Sequence, residues 1–289
     1  ASKCADSLRT LIALLRSLGF RINWKKVTDP CQNIVFLGVD ISTTDNKLAL
    51  DPKKTSQLTM DISHLLAKKR ISKKQLQRVA GHLSWATTVH TWGRAYLASF
   101  FQGIRTLNKG EHKMRITPAM QADLGWWLSC LQHSQHCRAI WPDTRQSIAI
   151  ATDASLVGGG AFLHNTRDFT YTCWAIDCPD LVNEHINTKE LAMVREGLIR
   201  WAPQFHGYHI FVQTDNMTTA HHINKGYAKG FKASRLVQDI AQIAHEHSIT
   251  ISAHHLSGHK NEIPDSISRL HCPGQQLRLS ALLSTLYGT

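Results

Sequence analysis

Four acidic residues in the second half of the sequence stand where carboxylates can act together: Asp153 in IATDAS, Glu190 in NTKELAMV, Asp215 in QTDN and Asp265 in EIPDSISR. Each alone has an ordinary explanation, because Asp caps helices and Glu suits a helix N-terminal turn. As a set they form a pattern. The apolar runs before Asp153 and Asp215 read as strands, Glu190 falls in the first turn or so of a helix, and Asp265 opens a short helix after Pro264. Parallel neighbouring strands that both end in Asp bring those side chains to one rim of a sheet, and a helix facing the rim supplies a third carboxylate. Carboxylates gathered in this way repel one another unless cations sit among them, and hard divalent ions with oxygen ligands are the fitting occupants. Two such ions about 4 Å apart activate a water and stabilise a leaving oxygen, which is chemistry for cutting a phosphodiester. No nucleophilic-serine motif or P-loop competes with it.

The elements that must position these residues are short strands followed by alternating helices and strands, an α/β pattern. Ile148–Asp153, Gly159–Leu163 and Phe169–Ala175 are spaced as a three-strand meander, with turns at Gly158–Gly160 and Asn165–Asp168. A helix is predicted at about Thr188–Ala202 and a strand at Tyr208–Thr214, then helices near Met217–Lys225 and Lys232–His247. A strand at Thr250–His255 and the short helix after Pro264 complete the unit. Upstream, Leu8, Leu11, Ile12, Leu15 and Leu18 recur at helical spacing, and Gly19 stands as the cap. The β-branched run Ile34–Ile41 and the segment Lys47–Leu50 read as strands, and helices are predicted at about Pro52–Lys68, Ser72–Gly103 and Pro118–His133. Pro142 and Asp143–Ser147 make the expected linker, and the weakly patterned tail beyond Cys272 is expected to be partly unstructured.

The motifs IATDAS at 150–155, NTKELAMV at 187–194, VQTDNMTTA at 212–220 and HHLSGHKNEIPDSISR at 254–269 resemble, in order, the four motifs of the ribonuclease H domain of retroelement reverse transcriptases. Their N-x-x-E, T-D-N and H-x-x-G-x-x-N…D-x-x-S-R forms are similar to those of DIRS-type retrotransposons. This resemblance implies a ribonuclease H-like mixed five-stranded sheet flanked by helices. It also implies that Asp153, Glu190, Asp215 and Asp265 are catalytic ligands of two Mg²⁺ (or Mn²⁺) ions, and that the RNA strand of an RNA–DNA hybrid is the strand cut. His255, ten residues before Asp265, matches the histidine that the family carries in the loop before its last Asp; His259 is its close competitor. Asn216 either contacts nucleic acid or caps the helix that follows it.

The first half also resembles part of a reverse transcriptase. LGFRINWKKVTDPCQNIVFLGVDIS at 18–42 is similar to the end of a polymerase palm, with Phe36-Leu-Gly38 at the primer-grip turn, and the helices after it resemble a thumb and connection. The expected organisation is a palm remnant at 1–51, a mainly helical thumb and connection at 52–142, the ribonuclease H-like domain at 147–271 and a tail at 272–289. Lys68, Lys69, Arg70, Lys73, Lys74 and Arg78 precede or line a long predicted helix and are the expected phosphate-gripping residues for a template-primer or hybrid duplex. The aromatic residues nearby, Trp85, Trp92, Tyr96, Phe100, Trp126 and Trp127, are expected in the core. A reverse transcriptase needs a Y-x-D-D turn shortly upstream of such a palm segment. The chain begins after that point, so polymerisation is not expected of these residues, and the remainder of a polyprotein is an expected partner.

Charge supports the division of labour. Residues 1–145 carry 22 Lys and Arg against 9 Asp and Glu, whereas residues 146–289 carry 11 against 12. A basic half beside a neutral, carboxylate-bearing half suits a protein that grips a polyanion with one part and acts on it with the other. The seven cysteines are scattered without a CxxC pair, which argues for reduced thiols and against a zinc site. No apolar run approaches a membrane span and no secretory h-region opens the chain, so an intracellular location, cytoplasmic or nuclear, is expected. Two other readings keep the same acidic cluster: a non-catalytic nucleic-acid-binding remnant, and a transposase or resolvase of related fold.

Overall fold

The computed structural model describes residues 2–132, 137–141 and 145–288. The first helix, α1 (Ser2–Ser17), precedes a small antiparallel sheet of β1 (Asn33–Phe36), β2 (Val39–Ser42) and β3 (Lys47–Leu50). The apolar run read as one strand is therefore a hairpin. Leu37 and Gly38 take φ of 50° and 82°, the paired positive values that a two-residue hairpin turn requires. The backbone of that turn is engaged within the protein: Trp85 Nε1 donates to the Leu37 carbonyl at 3.1 Å.

Helix α2 (Pro52–Leu66) starts where sequence logic places it, with Pro52 at its first position and the Asp51 carboxylate accepting from the Lys53 and Lys54 amides. It is followed by β4 (Arg70–Ser72) and α3 (Lys73–Ala86), which opens with a reciprocal Ser72–Gln75 capping box. The long helix expected to Gly103 breaks after Ala86. A 3₁₀ segment at Thr91–Leu97 intervenes, and α4 (Ala98–Thr106) resumes. The break follows the run Thr87-Thr88-Val89, whose β-branched side chains disfavour helix, and Thr87 Oγ1 turns back to bond the Ser84 carbonyl. Strand β5 (Lys113–Arg115) pairs with β4, α5 (Pro118–Gln132) follows, and β6 (Arg138–Ala139) joins the edge of β3. Phe100 and Trp127 are fully buried and Trp126 stacks on Tyr96 at 4.0 Å, so these aromatics are core, as expected. His133, Pro142 and Asp143, the expected helix end and linker start, lie outside the described residues.

The remaining strands are β7 (Ser147–Ala154), β8 (Gly158–Leu163), β9 (Phe169–Cys173), β10 (His209–Thr214) and β11 (Thr250–His255). They form one sheet in the order β11-β10-β7-β8-β9. β7 to β9 are an antiparallel meander, while β10 runs parallel to both β7 and β11. The helices that flank this sheet are α6 (Trp174–Asp177), α7 (Ile186–Trp201), α8 (Met217–Lys225), α9 (Phe231–Glu246), α10 (Glu262–Ser268) and α11 (Gln275–Tyr287). This is the ribonuclease H-like mixed five-stranded architecture. Gly160 matters to its shape, because a Cβ there would stand 2.7 Å from the Pro264 carbonyl and the Ser268 amide. Only glycine lets α10 lie this close to β8.

The tail beyond Cys272 forms a helix over Gln275–Tyr287, contrary to expectation. Leu279, Leu283 and Tyr287 recur every four residues along α11 and cover Phe162 and Ile267. That stripe, short in sequence, finds an apolar surface only once α10 has folded. The helical and sheet regions share one buried core. A polar node joins them as well: Tyr96 donates to the Gln238 carbonyl at 3.1 Å, and the Gln238 amide donates to Ala95 O and Asp123 Oδ1. Among the described residues no helix is long and apolar enough to cross a membrane.

Candidate metal centre

The parallel pairing of β7 with β10 sets Thr152 opposite Thr214, so the next residues, Asp153 and Asp215, emerge side by side at the same rim. Glu190, in the second turn of α7, faces them. One carboxylate oxygen from each of Asp153, Glu190 and Asp215 lies within 4.8 Å of the others. Asp153 and Glu190 are buried, at 6% and 3% exposure, while Asp215 is half-buried and opens the group to solvent.

Hydrogen bonds fix the geometry. Glu190 accepts from the Ala154 amide at 3.1 Å and from Thr214 Oγ1 at 3.5 Å, and Ser268 Oγ donates to Asp153 Oδ2 at 2.6 Å. Asn261, 1% exposed, donates from Nδ2 to the Thr152 carbonyl at 3.0 Å, which ties the loop after β11 to the strand that carries Asp153. Lys189 is buried beside Glu190 and spends its ammonium on the Leu156 and Val182 carbonyls, closing two loops around the N-terminal part of α7.

The electrostatics of the cluster suit a cation. Burial pushes the Asp153 carboxyl up to about 6 against the help of Ser268, and the charges of Asp215 and Asp265 push the same way. Burial, then the charge of Asp153, pushes Glu190 up to about 9. Without a cation Glu190 holds its proton at neutral pH, and a divalent ion held there would favour its release. The donors are all carboxylate oxygens, with no thiolate or imidazole in the group, and they match the preference of Mg²⁺ or Mn²⁺. All seven cysteines are free.

The fourth carboxylate stands apart. Asp265 Oδ1 is paired with Arg269 at 2.8 Å and Oδ2 with Arg278 of α11 at 3.1 Å, and Asp265 is not a member of the three-carboxylate group. His255 ends β11 with its side chain exposed, and His259 Nε2 meets Ser257 Oγ at 3.3 Å. The loop bearing His259 lies over the centre: a Cβ on Gly258 would stand 3.5 Å from Asp215 Oδ2. Asn216 is the N-cap of α8, with Oδ1 accepting from the Thr219 amide and Nδ2 donating to Asn187.

The six expected phosphate-gripping residues divide. Lys68, Lys69, Arg70 and Lys74 are exposed, with no side-chain ion pair or hydrogen bond among the described residues. Lys73 bonds the Leu107 carbonyl at 2.5 Å, and Arg78 is paired with Asp61 at 3.0 Å. Sequence reading missed Ser268, Asn261, Lys189 and Arg278. The first three sit inside the quoted motifs, where roles went to the neighbouring carboxylates and histidines; Arg278 had no motif to mark it.

No family model and no curated protein matches the chain. Among solved structures it is similar to a foamy viral protease-reverse transcriptase in complex with RNA/DNA hybrid, at 14% identity and a TM-score of 0.38, covering 88% of this chain and 33% of that one. It is also similar to the dRH form of that protein in complex with ds DNA, at 16% identity and a TM-score of 0.36, covering 88% and 43%. A third, the protease-reverse transcriptase in complex with dsDNA, has 17% identity and a TM-score of 0.33, covering 86% and 50%. The chain spans half or less of the length of these proteins.

Proposed function

We propose that this chain cleaves the RNA strand of RNA–DNA hybrids with two divalent ions, as the nuclease end of a retrotransposon reverse transcriptase of DIRS-like type. The observation that carries the reading is the convergence of Asp153, Glu190 and Asp215 from two parallel strand ends and a facing helix, with donor oxygens within 4.8 Å. Bound Mg²⁺ or Mn²⁺ supplies Lewis-acid activation of water and neutralises charge on the phosphate. The chain's own groups do the rest. Asp153, Glu190 and Asp215 furnish the oxygens, Ser268 holds the Asp153 carboxylate in one rotamer, and Asn261 fixes the loop above it. Asp265 would serve as a further ligand with its pairs to Arg269 and Arg278 opened. His255 or His259, on either side of the loop near Asp215, takes the proton from the attacking water or delivers one to the leaving oxygen. Lys68, Lys69, Arg70 and Lys74 hold phosphates of the duplex without reading sequence.

Incubation of the chain with Mg²⁺ or Mn²⁺ and labelled hybrid, duplex DNA or duplex RNA tests the reading. Cleavage confined to the RNA of the hybrid is expected. Cutting of duplex DNA with the hybrid spared would replace it with the transposase or resolvase reading, and absence of cleavage with retained binding would leave a binding module.

A further inference from the structure

A second cleft, away from the carboxylates, lies between the helical region and the ends of α8 and α9, with a volume of about 820 Å³. Four cations line it: Arg94 and Arg105 from the helical side, Lys225 and Arg235 from the nuclease side. Arg94, Arg105 and Lys225 have no ion-pair or hydrogen-bond partner through their side chains among the described residues, and Arg235 touches only the uncharged amide of Gln238 at 3.4 Å. The one acid in the wall, Asp123, is buried and already bonded by Ser99 and Gln238, and burial raises its pKa. The charge offered to an occupant is thus strongly positive.

Aromatic rings are set among these cations. Phe231 is 79% exposed, and Phe101 and Tyr227 are also exposed on the same cleft. The wall from the nuclease side is fixed in place: Gly226 has φ of 60°, and a Cβ on it would stand 3.2 Å from the Thr91 carbonyl. Ser234 Oγ bonds the Ala228 carbonyl and shapes the rest of that loop.

We propose that this cleft binds an unpaired DNA strand. The pairing of unpartnered guanidinium and ammonium groups with exposed ring faces is the arrangement that tracks a phosphate backbone while stacking its bases. Its volume lies in the range of small-ligand pockets, about 300–1,000 Å³, and suits a few nucleotides of one strand rather than a duplex. DNA is the strand assigned because, on the function proposed above, removal of RNA from a hybrid leaves the DNA unpaired beside the enzyme; the inference rests on that reading for the choice of strand, and on the cleft for the site.

The test uses the whole chain in EDTA, so that cleavage plays no part, and reads fluorescence anisotropy with three probes: decamer oligothymidylate, decamer oligouridylate and a blunt-ended hybrid. The double variant Arg94→Gln/Arg105→Gln should weaken oligothymidylate binding at least about tenfold. Its salt slope should flatten by about 1.4, from roughly 0.7 for each phosphate no longer neutralised. Phe231→Ala should cost about 5-fold to 150-fold, the equivalent of one stacked base. Both variants should bind the blunt hybrid within about twofold of the unaltered chain and, with Mn²⁺ restored, cut it at the same rate. Melting temperatures of the variants confirm that these surface changes leave the fold intact. Unchanged oligothymidylate binding, or equal loss of the blunt hybrid, would overturn the proposal, and tighter binding of oligouridylate would overturn the assignment to DNA. Failure of hybrid cleavage by the unaltered chain would instead strike at the proposed nuclease activity.

Discussion

Glu190→Gln should make the ion-free protein more stable while abolishing the proposed nuclease activity. In the absence of cations, burial and the charge of Asp153 hold the Glu190 carboxyl up at about 9 against an ordinary value of 4.5. The folded chain then keeps a proton that the unfolded chain releases, so folding stability is fully present below about pH 4.5 and falls as pH rises towards 9. At about pH 8 the stability lost on the way up from the ordinary value corresponds to about 5 kcal/mol, and relaxation of the pocket with entry of water reduces the observable part to about 2 kcal/mol. The glutamine keeps the size of the side chain and an acceptor for the Ala154 amide, and it carries no charge to bury. Thermal melts in EDTA should place the variant about 3–4 °C above the unaltered chain at about pH 8. The gap should narrow progressively towards about pH 5. With saturating Mg²⁺ the order should reverse, because only the unaltered chain gains the full binding free energy of the ions. A variant that melts lower in EDTA at about pH 8, or a gap that ignores pH, would refute the electrostatic account of the centre.

Asp215→Asn should abolish hybrid cleavage and leave hybrid binding in EDTA unchanged, since it weakens ion ligation without touching the basic residues; surviving cleavage would remove Asp215 from the site. Replacing Lys68, Lys69 and Lys74 together by Ala should flatten the salt dependence of hybrid binding by roughly 0.9 for each phosphate no longer neutralised. Lys73→Ala should leave that slope alone and lower the melting temperature, because its ammonium is spent on the Leu107 carbonyl. Arg278→Gln, which releases one oxygen of Asp265, should tighten Mn²⁺ binding several-fold as read by paramagnetic resonance; unchanged affinity would show that Asp265 takes no part in holding ions.

The sequence made the centre legible because its parts obey local rules. A strand that alternates or runs apolar and then stops on Asp announces a sheet rim, and the order of the strands and helices allowed the parallel pairing that aligns Asp153 with Asp215. What escaped notice depends on neighbours distant in sequence. The C-terminal helix has an apolar stripe of only three residues, which gains meaning from Phe162 and Ile267, and Arg278 reaches Asp265 because α10 and α11 pack together. The split of the run Ile34–Ile41 into a hairpin turned on two residues of positive φ, one of them Leu37, whose side chain gives no hint of it. The basic run was visible as charge, but which members are spent on Asp61 or on carbonyls required coordinates.

The node of Tyr96, Gln238 and Asp123, and the shared core around it, tie the helices that carry the exposed lysines to the sheet that carries the acids. In the proposed nuclease such a joint would work as a ruler. On the proposed function, a duplex held at Lys69 and Lys74 would meet the acidic rim at one set offset along its axis, and fragment lengths from an end-labelled hybrid would report that distance in base pairs. Loosening the node by Gln238→Ala would blur the lengths without changing the chemistry of the cut.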